Sequence, residues 1–326
     1  MYKVKVENLK QFEIALASKN VSEIILARDS FVEKDLPKLV EGIKKSNKVA
    51  WILMERISRY EENMKPHDLR LATDKIYEIN NLGGVIIQNL DSFAYMLRKI
   101  NKAANEKLKV ELNYTMNCYN NETKKVHQNL YNEKRKNANE VPLLFTAPVE
   151  LNIYELSEVG YDTFIVYSYI DTMVSANCLR KNLVGADATQ MYHSGEACET
   201  AKPCRGEHCE PACKYRFNFE NVHDFSSYII DRKGKKLYYK TYCKYCYNKI
   251  FNTEPLYLLD KIDELKFREP LARRSQLYEP VTRRGEHCEP AYRIDFSFET
   301  ENEVRNILNK KIPESFTRGH IKNSIK

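Results

Sequence analysis

The stretch EIILARDSFVEKDLPKLVEGIKKSNKVAWILM, residues 23–54, holds one complete unit of the fold. Glu23–Ala27 is an apolar run too short for a helix and bounded by polar residues, so it reads as a buried strand. Glu33–Lys45 then sets Leu36, Leu39, Val40 and Ile43 at helical spacing, and Val49–Met54 is strand-like again. Strands that run apolar without alternation are covered on both faces, as in parallel sheets flanked by helices.

The same β-then-α unit recurs on either side. Lys3–Glu7 reads as a strand and Asn8–Ser18 as a helix, with Leu9, Phe12, Ile14 and Leu16 as its apolar positions. Downstream, a helix over Asp68–Asn80 takes Asp68 as its N-cap. Strand Gly84–Gln88, helix Asp91–Ile100, strand Lys109–Thr115 and a polar helical stretch after Asn121 follow. Leu143–Thr146, the helical Ile153–Val159 and a seventh strand, Thr163–Tyr169, complete the regular part. An eighth pair, Tyr292–Phe298 with Glu301–Asn309, comes only after a long gap. Eight such units predict an α/β fold of the (β/α)8 TIM-like barrel type. The alternative, an open doubly wound sheet, would be expected to carry a Gly-rich dinucleotide turn that this chain lacks. The expected organisation is barrel units one to seven over 1–178, a cysteine-rich insertion with the metal ligands over 179–291, the last strand and helix over 292–311, and a tail over 312–326.

Composition narrows the function classes. With 43% hydrophobic and 30% charged residues among 326, the chain is too apolar to be disordered. A net charge of +7 permits an anionic partner such as RNA without demanding one. No apolar stretch reaches the length of a membrane span, and residues 1–20 are charged throughout, so the expectation is a cytoplasmic protein with no membrane partner. Nine cysteines in such a chain favour metal ligation or catalysis over disulfides.

Seven of those cysteines fall in the insertion: Cys198, Cys204, Cys209, Cys213, Cys243, Cys246 and Cys288, with Cys178 just before it. Cys243-Lys-Tyr-Cys246 and Cys209-Glu-Pro-Ala-Cys213 are pairs whose spacing lets two sulfurs converge on one centre. Two readings stand side by side: a closed structural zinc site pinning a long loop, which His193 or His208 could join, and an iron–sulfur cluster facing the barrel mouth. Cys118 reads as a core residue and Cys288 as a spare thiol. The octapeptide RGEHCEPA occurs at Arg205–Ala212 and again at Arg284–Ala291, 79 residues on, and no physical role follows from it.

Barrel strands point their last side chains into the site, which nominates Arg28, Glu55, Gln88, Asn117, Glu150, Tyr167 and Glu299. Glu150, Asn117 and Glu299 are the candidate catalytic groups. Arg28, Glu55, Gln88 and Tyr167 are the candidate substrate contacts. Glu150 could move a proton or hold a substrate amide, or serve only as a charge at a helix N-terminus. Arg28 could grip a carboxylate or phosphate, or simply make a salt bridge. Tyr238, Tyr239, Tyr242, Tyr245 and Tyr247 interleave with Lys235, Lys236, Lys240 and Lys244. That pattern suits stacking on unpaired bases along a phosphate track, and equally a hairpin with one buried face.

Several segments together resemble the collagenase-like peptidase family, the thirty-second family of peptidases of unknown catalytic type: Thr146-Ala-Pro-Val-Glu-Leu-Asn152, the run Val166–Cys178, Asp231-Arg-Lys-Gly-Lys, Cys243-x2-Cys246-Tyr-Asn, Tyr292-Arg-Ile-Asp-Phe and Asn117-Cys-Tyr-Asn120. The resemblance implies a barrel carrying a 4Fe-4S cluster on four cysteines. It also implies an oxygen-independent hydroxylase that acts on a tRNA or rRNA base or on a small-molecule quinone precursor, with prephenate as the oxygen donor in some members. Matched position by position, Cys178, Cys243 and Cys246 are ligands, and Cys213 is the expected fourth, ahead of Cys209, Cys204 and Cys198. Two other functions remain. One is a peptidase, for which no His-Glu-x-x-His or Gly-x-Ser-x-Gly motif is present; the other is a zinc-stabilised binding module without catalysis.

Overall fold

A computed structural model of the chain describes residues 1–57, 73–176, 224–245, 247–266 and 290–320. Asparagine and threonine caps start most of its helices. In α1 (Leu9–Ala17), α3 (Leu90–Lys99) and α4 (Asn121–Lys134) the caps Asn8, Asn89 and Asn120 accept from Gln11, Ser92 and Thr123 backbone N–H groups. In α5 (Ile153–Val159) and α7 (Glu301–Leu308) the pairs Asn152/Glu155 and Thr300/Glu303 form reciprocal capping boxes. Pro37 opens α2 (Leu36–Lys45) in its first turn, where its missing N–H costs nothing.

These helices alternate with β1 (Tyr2–Val6), β2 (Val21–Ala27), β3 (Val49–Leu53), β4 (Gly84–Ile87), β5 (Lys109–Leu112), β6 (Leu143–Phe145) and β7 (Thr163–Ser168). Beyond them lie β8 (Asp171–Ser175), β9 (Asp224–Ile230), β10 (Lys236–Tyr242), β11 (Tyr247–Phe251), β12 (Leu256–Tyr257), α6 (Ile262–Lys266) and β13 (Ala291–Asp295). The large sheet has nine strands in the order β12-β7-β13-β1-β2-β3-β4-β5-β6, parallel except for β12.

The expected closed (β/α)8 barrel is therefore not what forms. All eight anticipated strands are present, but they build a curled half-barrel whose ladder does not run round. β6 and β7 meet at a single isolated bridge, Thr146 to Thr163. The reason lies at the far edge of β7, where β12 pairs antiparallel with Tyr167 and Ser168 and takes the positions a neighbouring parallel strand would need. β6, only three residues long and flanked by Pro142 and Pro148, offers too little backbone to displace it.

Side-chain parity splits the sheet into two environments. Val4, Val6, Ile24, Leu26, Ala50, Ile52, Val85 and Val110 face the helices and join one core with Phe12, Val40, Phe93 and Val304. Residues of the opposite parity point into the concave side. Ile25, Trp51, Leu53 and Ile86 form a small apolar cluster there, and Lys3, Lys5, Glu111, Arg293 and Asp295 share that parity. Gly84 lies directly under Trp51: a Cβ at this position would overlap three ring carbons of a side chain that is itself 1% exposed. Gly84→Ala is accordingly expected to lose about 1–3 kcal/mol, read as a lower urea midpoint with an unchanged slope.

A second sheet, β8-β11-β10-β9, is antiparallel throughout. It begins three residues after β7, and the rest of it comes from the region expected to be an insertion. Among the described residues no helix is long and apolar enough to cross a membrane.

Candidate functional site

The concave side of the large sheet is charged. Lys3 donates to Glu111 at 2.7 Å, Glu111 also accepts from Thr146 at 2.6 Å, and the Lys3 ammonium sits 3.2 Å from the centre of the Trp51 ring. Arg293 grips Asp295 through Nε and Nη2, at 2.6 and 2.7 Å, and donates from Nη1 to Asn113 at 2.9 Å. Burial of this kind is costly unless each charge is matched, and here each one is. Burial lowers the Lys3 ammonium pKa, with Glu111 and Glu23 opposing that shift. For the Glu111 carboxyl, burial alone would raise the value, but Lys3 and Arg293 hold it below the usual carboxylate range.

At the C-terminal ends of the strands the second sheet closes over this interior. Glu7, just past β1, accepts from Lys5 and from Lys240 of β10, both at 2.6 Å, and from the Tyr242 hydroxyl at 3.2 Å. The Tyr247 hydroxyl donates to Asp29, past β2. Lys244, in the turn between β10 and β11, donates to the carbonyls of Arg28 and Phe31 at 2.6 and 2.7 Å. The rings of Tyr242 and Tyr247 stack 5.1 Å apart and pack with Tyr245, Ile57 and Val174. The β10–β11 turn is thus seated on the strand ends, and Cys243, buried between Tyr242 and Lys244, is seated with it.

The two short ends of the second sheet converge here. Ser175, the last residue of β8, pairs with Asn248 near the start of β11. The chain that leads on to position 178 therefore leaves the sheet at the same end as the turn carrying Cys243. Cys178, Cys198, Cys204, Cys209, Cys213, Cys246 and Cys288, together with His193, His208 and the first octapeptide, lie outside the described residues, as do Arg284–Glu289 of the second octapeptide and residues 68–72 of the helix expected over Asp68–Asn80.

The nominated polar residues divide into groups. Arg28 and Glu55 are brought together: Arg28 donates to Glu55 at 2.9 Å, to Glu33 at 2.8 Å and to Thr73 at 3.2 Å. The guanidinium is fully buried and already neutralised, so it holds the β2 and β3 ends together rather than waiting for a phosphate. Gln88 is buried and donates to the Met54 carbonyl while accepting from Asn113 at 3.3 Å, a pin between strand ends. Tyr167 packs against Phe296 in the core, ring centres 5.9 Å apart. Glu299 is buried against Tyr167, so these two nominated residues are also brought together; its Oε2 accepts from the Ser297 and Phe298 backbone at 2.5 and 2.9 Å, and burial pushes its carboxyl above the usual range while the Tyr167 hydroxyl opposes that shift. Glu150 is half-buried beside Tyr119, with its Oε2 unpartnered. Asn117 is exposed in a left-handed conformation (φ 55°) that ends a short 3-10 turn, a geometry asparagine tolerates better than most residues.

Of the tyrosines read as a stacking platform, Tyr239, Tyr242, Tyr245 and Tyr247 are buried under the second sheet. Tyr228 of that sheet is an exposed ring, with the Lys236 ammonium 4.6 Å from its centre. Cys118 lies 3.8 Å from His127 Nδ1, yet the pair is no nucleophile–base dyad. That nitrogen is 2.9 Å from the Thr123 carbonyl, so it carries the proton and donates it there. Burial pushes the Cys118 thiol up to about 11, the opposite of an activated thiolate.

Lys5, Glu7, Asp29, Arg56, Asn113 and Asp295 were not nominated, although they make the mouth together with Lys240, which was read only as part of a phosphate track. The available signal was the KVKVE and YRID alternation, in which charges share a parity across β1 and β13. Glu7 gives the mouth a pH dependence. Burial alone would raise its carboxyl, but Lys240 and Lys5 bring it from its ordinary 4.5 down to about 2. A folded value below the unfolded one means the stabilisation is complete above pH 4.5 and is lost as pH falls through 2. Unfolding free energy measured across that window should decline, and decline less in Glu7→Gln. Comparisons with protein-family models, curated proteins and solved structures find no match to this chain.

Proposed function

We propose that the chain is a cytoplasmic iron–sulfur enzyme, an oxygen-independent hydroxylase-type modifier of an RNA base, with a 4Fe-4S cluster held by Cys178, Cys213, Cys243 and Cys246. One observation carries this reading: the turn bearing Cys243 is buried on the strand ends, and β8, which leads on to Cys178, leaves the second sheet at that same end. The donor set suits the group. Thiolates are the ligands iron–sulfur clusters take, and a cluster on four of them is anionic. Lys240 and Lys244, whose charges Glu7 and Glu33 balance, and buried Lys249 line the two strands and the turn that flank Cys243. Bound there, the cluster would supply one-electron transfer at the mouth.

The remaining tasks fall to the chain. Glu299 is placed to take up or pass a proton, since burial raises its carboxyl above the usual range and the Tyr167 hydroxyl lies against it. Glu150, beside Tyr119, offers a second carboxylate with one unengaged oxygen. The second sheet keeps water from the charged interior. For RNA, the β9–β10 hairpin presents exposed Tyr228, Arg232, Lys233, Lys235 and Lys236, an aromatic face among cations that stacks an unpaired base over a phosphate track. Prephenate is the proposed oxygen donor.

The test is mass spectrometry of RNA nucleosides from a deletion strain. A hydroxylated nucleoside should disappear, returning with the wild-type chain and not with Cys243→Ala. Unchanged RNA together with cleavage of gelatin or a peptide panel would replace this reading with a peptidase. A colourless zinc protein that modifies nothing would make the chain a binding module.

A further inference from the structure

We propose that Arg56 anchors an oxyanion subsite at the mouth, one that takes a carboxylate or phosphate through two coplanar oxygens. The inference stands on the mouth's geometry and does not depend on iron being held there. Arg56 lies three residues past β3, and its backbone N–H meets the Tyr247 hydroxyl at 3.5 Å, which sets it beside the sheet that carries Cys243. Its Nη1 donates to the Gln88 carbonyl at 2.8 Å and to the Thr115 carbonyl at 3.4 Å. Those two bonds fix the guanidinium plane while contributing no negative charge.

The other edge is unused. Nε is buried without an acceptor, and Nη2 makes no hydrogen bond among the described residues. No carboxylate of the described residues lies within 4.0 Å of this guanidinium. Tyr247, which meets the Arg56 backbone, engages Asp29, and Tyr114 engages Asp171. The comparison within the chain is direct. Arg28, Arg293 and Arg318 each hold a carboxylate, and Arg293 does so with the same Nε and Nη2 edge that Arg56 leaves empty. An immobilised guanidinium whose Nη2 is open and whose buried Nε lacks an acceptor offers a fork to an oxyanion entering from the Nη2 side. Leaving a buried charged donor unpaired is costly, and a ligand oxygen on Nε removes that cost.

The experiment is calorimetric titration of the full chain with inorganic phosphate and, separately, with malonate. One of them should bind with a dissociation constant below about 10 mM. Binding of the two in parallel distinguishes a phosphate site from a carboxylate site. Arg56→Lys should weaken the bound anion by about tenfold or more, because an ammonium cannot present the planar fork. Equal affinity in Arg56→Lys, or no binding of either anion by the wild type, would overturn the proposal. Should the variant fail to fold, wild-type chain treated with phenylglyoxal gives the answer by peptide mass spectrometry. The preferred anion should protect Arg56 from modification, and unchanged modification in its presence would overturn the proposal equally. Anion binding through Arg56 in protein that holds no iron would leave this subsite standing while the proposed function fell.

Discussion

Glu7→Ala is expected to cost about 3–5 kcal/mol of folding stability, a large share of what a folded domain has. Glu7 is the joint between the two sheets. It accepts from Lys5 of β1 and from Lys240 of β10, 233 residues away, each at 2.6 Å, and from Tyr242 at 3.2 Å. Alanine would leave two ammonium groups in the interior without the carboxylate that both share. The loss should therefore exceed that of any exposed ion pair here, such as Lys10 with Glu301, which water screens. Glu7→Gln keeps an acceptor and should fall between. In Glu7→Leu combined with Lys5→Leu and Lys240→Leu much of the loss should return, since a buried ionic cluster replaced whole by apolar groups is often neutral. Chemical denaturation of the four proteins measures all of this. Hydrogen exchange should show β10 opening before β1 in the single variants.

Arg28→Met should destabilise by a similar amount, about 3–5 kcal/mol, because Glu33 and Glu55 lose the guanidinium to which both are hydrogen-bonded. Arg28→Lys should recover little of this, since one ammonium cannot reach Glu33, Glu55 and Thr73 at once. The outcome separates two roles for this residue. A structural clamp shows itself as lost stability with unchanged substrate affinity in whatever protein remains folded. A substrate contact would raise the apparent substrate constant and leave the unfolding midpoint in place.

The strands of the large sheet were legible because buried parallel strands are written as apolar runs, and EIILA, VAWILM and GVIIQ are such runs. Their closure was not legible. Whether β6 meets β7 along its length depends on which segment takes the second edge of β7, and β12, Leu256–Tyr257, is too short to leave a periodic signature. The charged interior went unread for a related reason. Lys3 and Lys5 in KVKVE look like the solvent face of a half-exposed strand, and only the partner sequence YRID, with Arg293 and Asp295 in register, shows that both faces are covered. Strand-end counting found Arg28 and Glu55, which do meet, and passed over Glu7, Asp29 and Arg56, which touch the second sheet. That sheet's contacts span more than 200 residues, a distance over which no local pattern speaks. The tyrosines of β10 and β11 were visible as a cluster, but burial, which decides between stacking on a base and packing in a core, is a tertiary property.

An iron–sulfur enzyme needs its sulfur ligands to meet where the β10–β11 turn lies on the strand ends. Iron and acid-labile sulfide analysis of protein purified without oxygen tests it most directly. Brown protein with about four irons and four sulfides per chain is expected, reduced to background in Cys243→Ala while the variant's unfolding midpoint shows it still folded. Colourless protein containing zinc or no metal, or full iron content retained in Cys243→Ala, would contradict it.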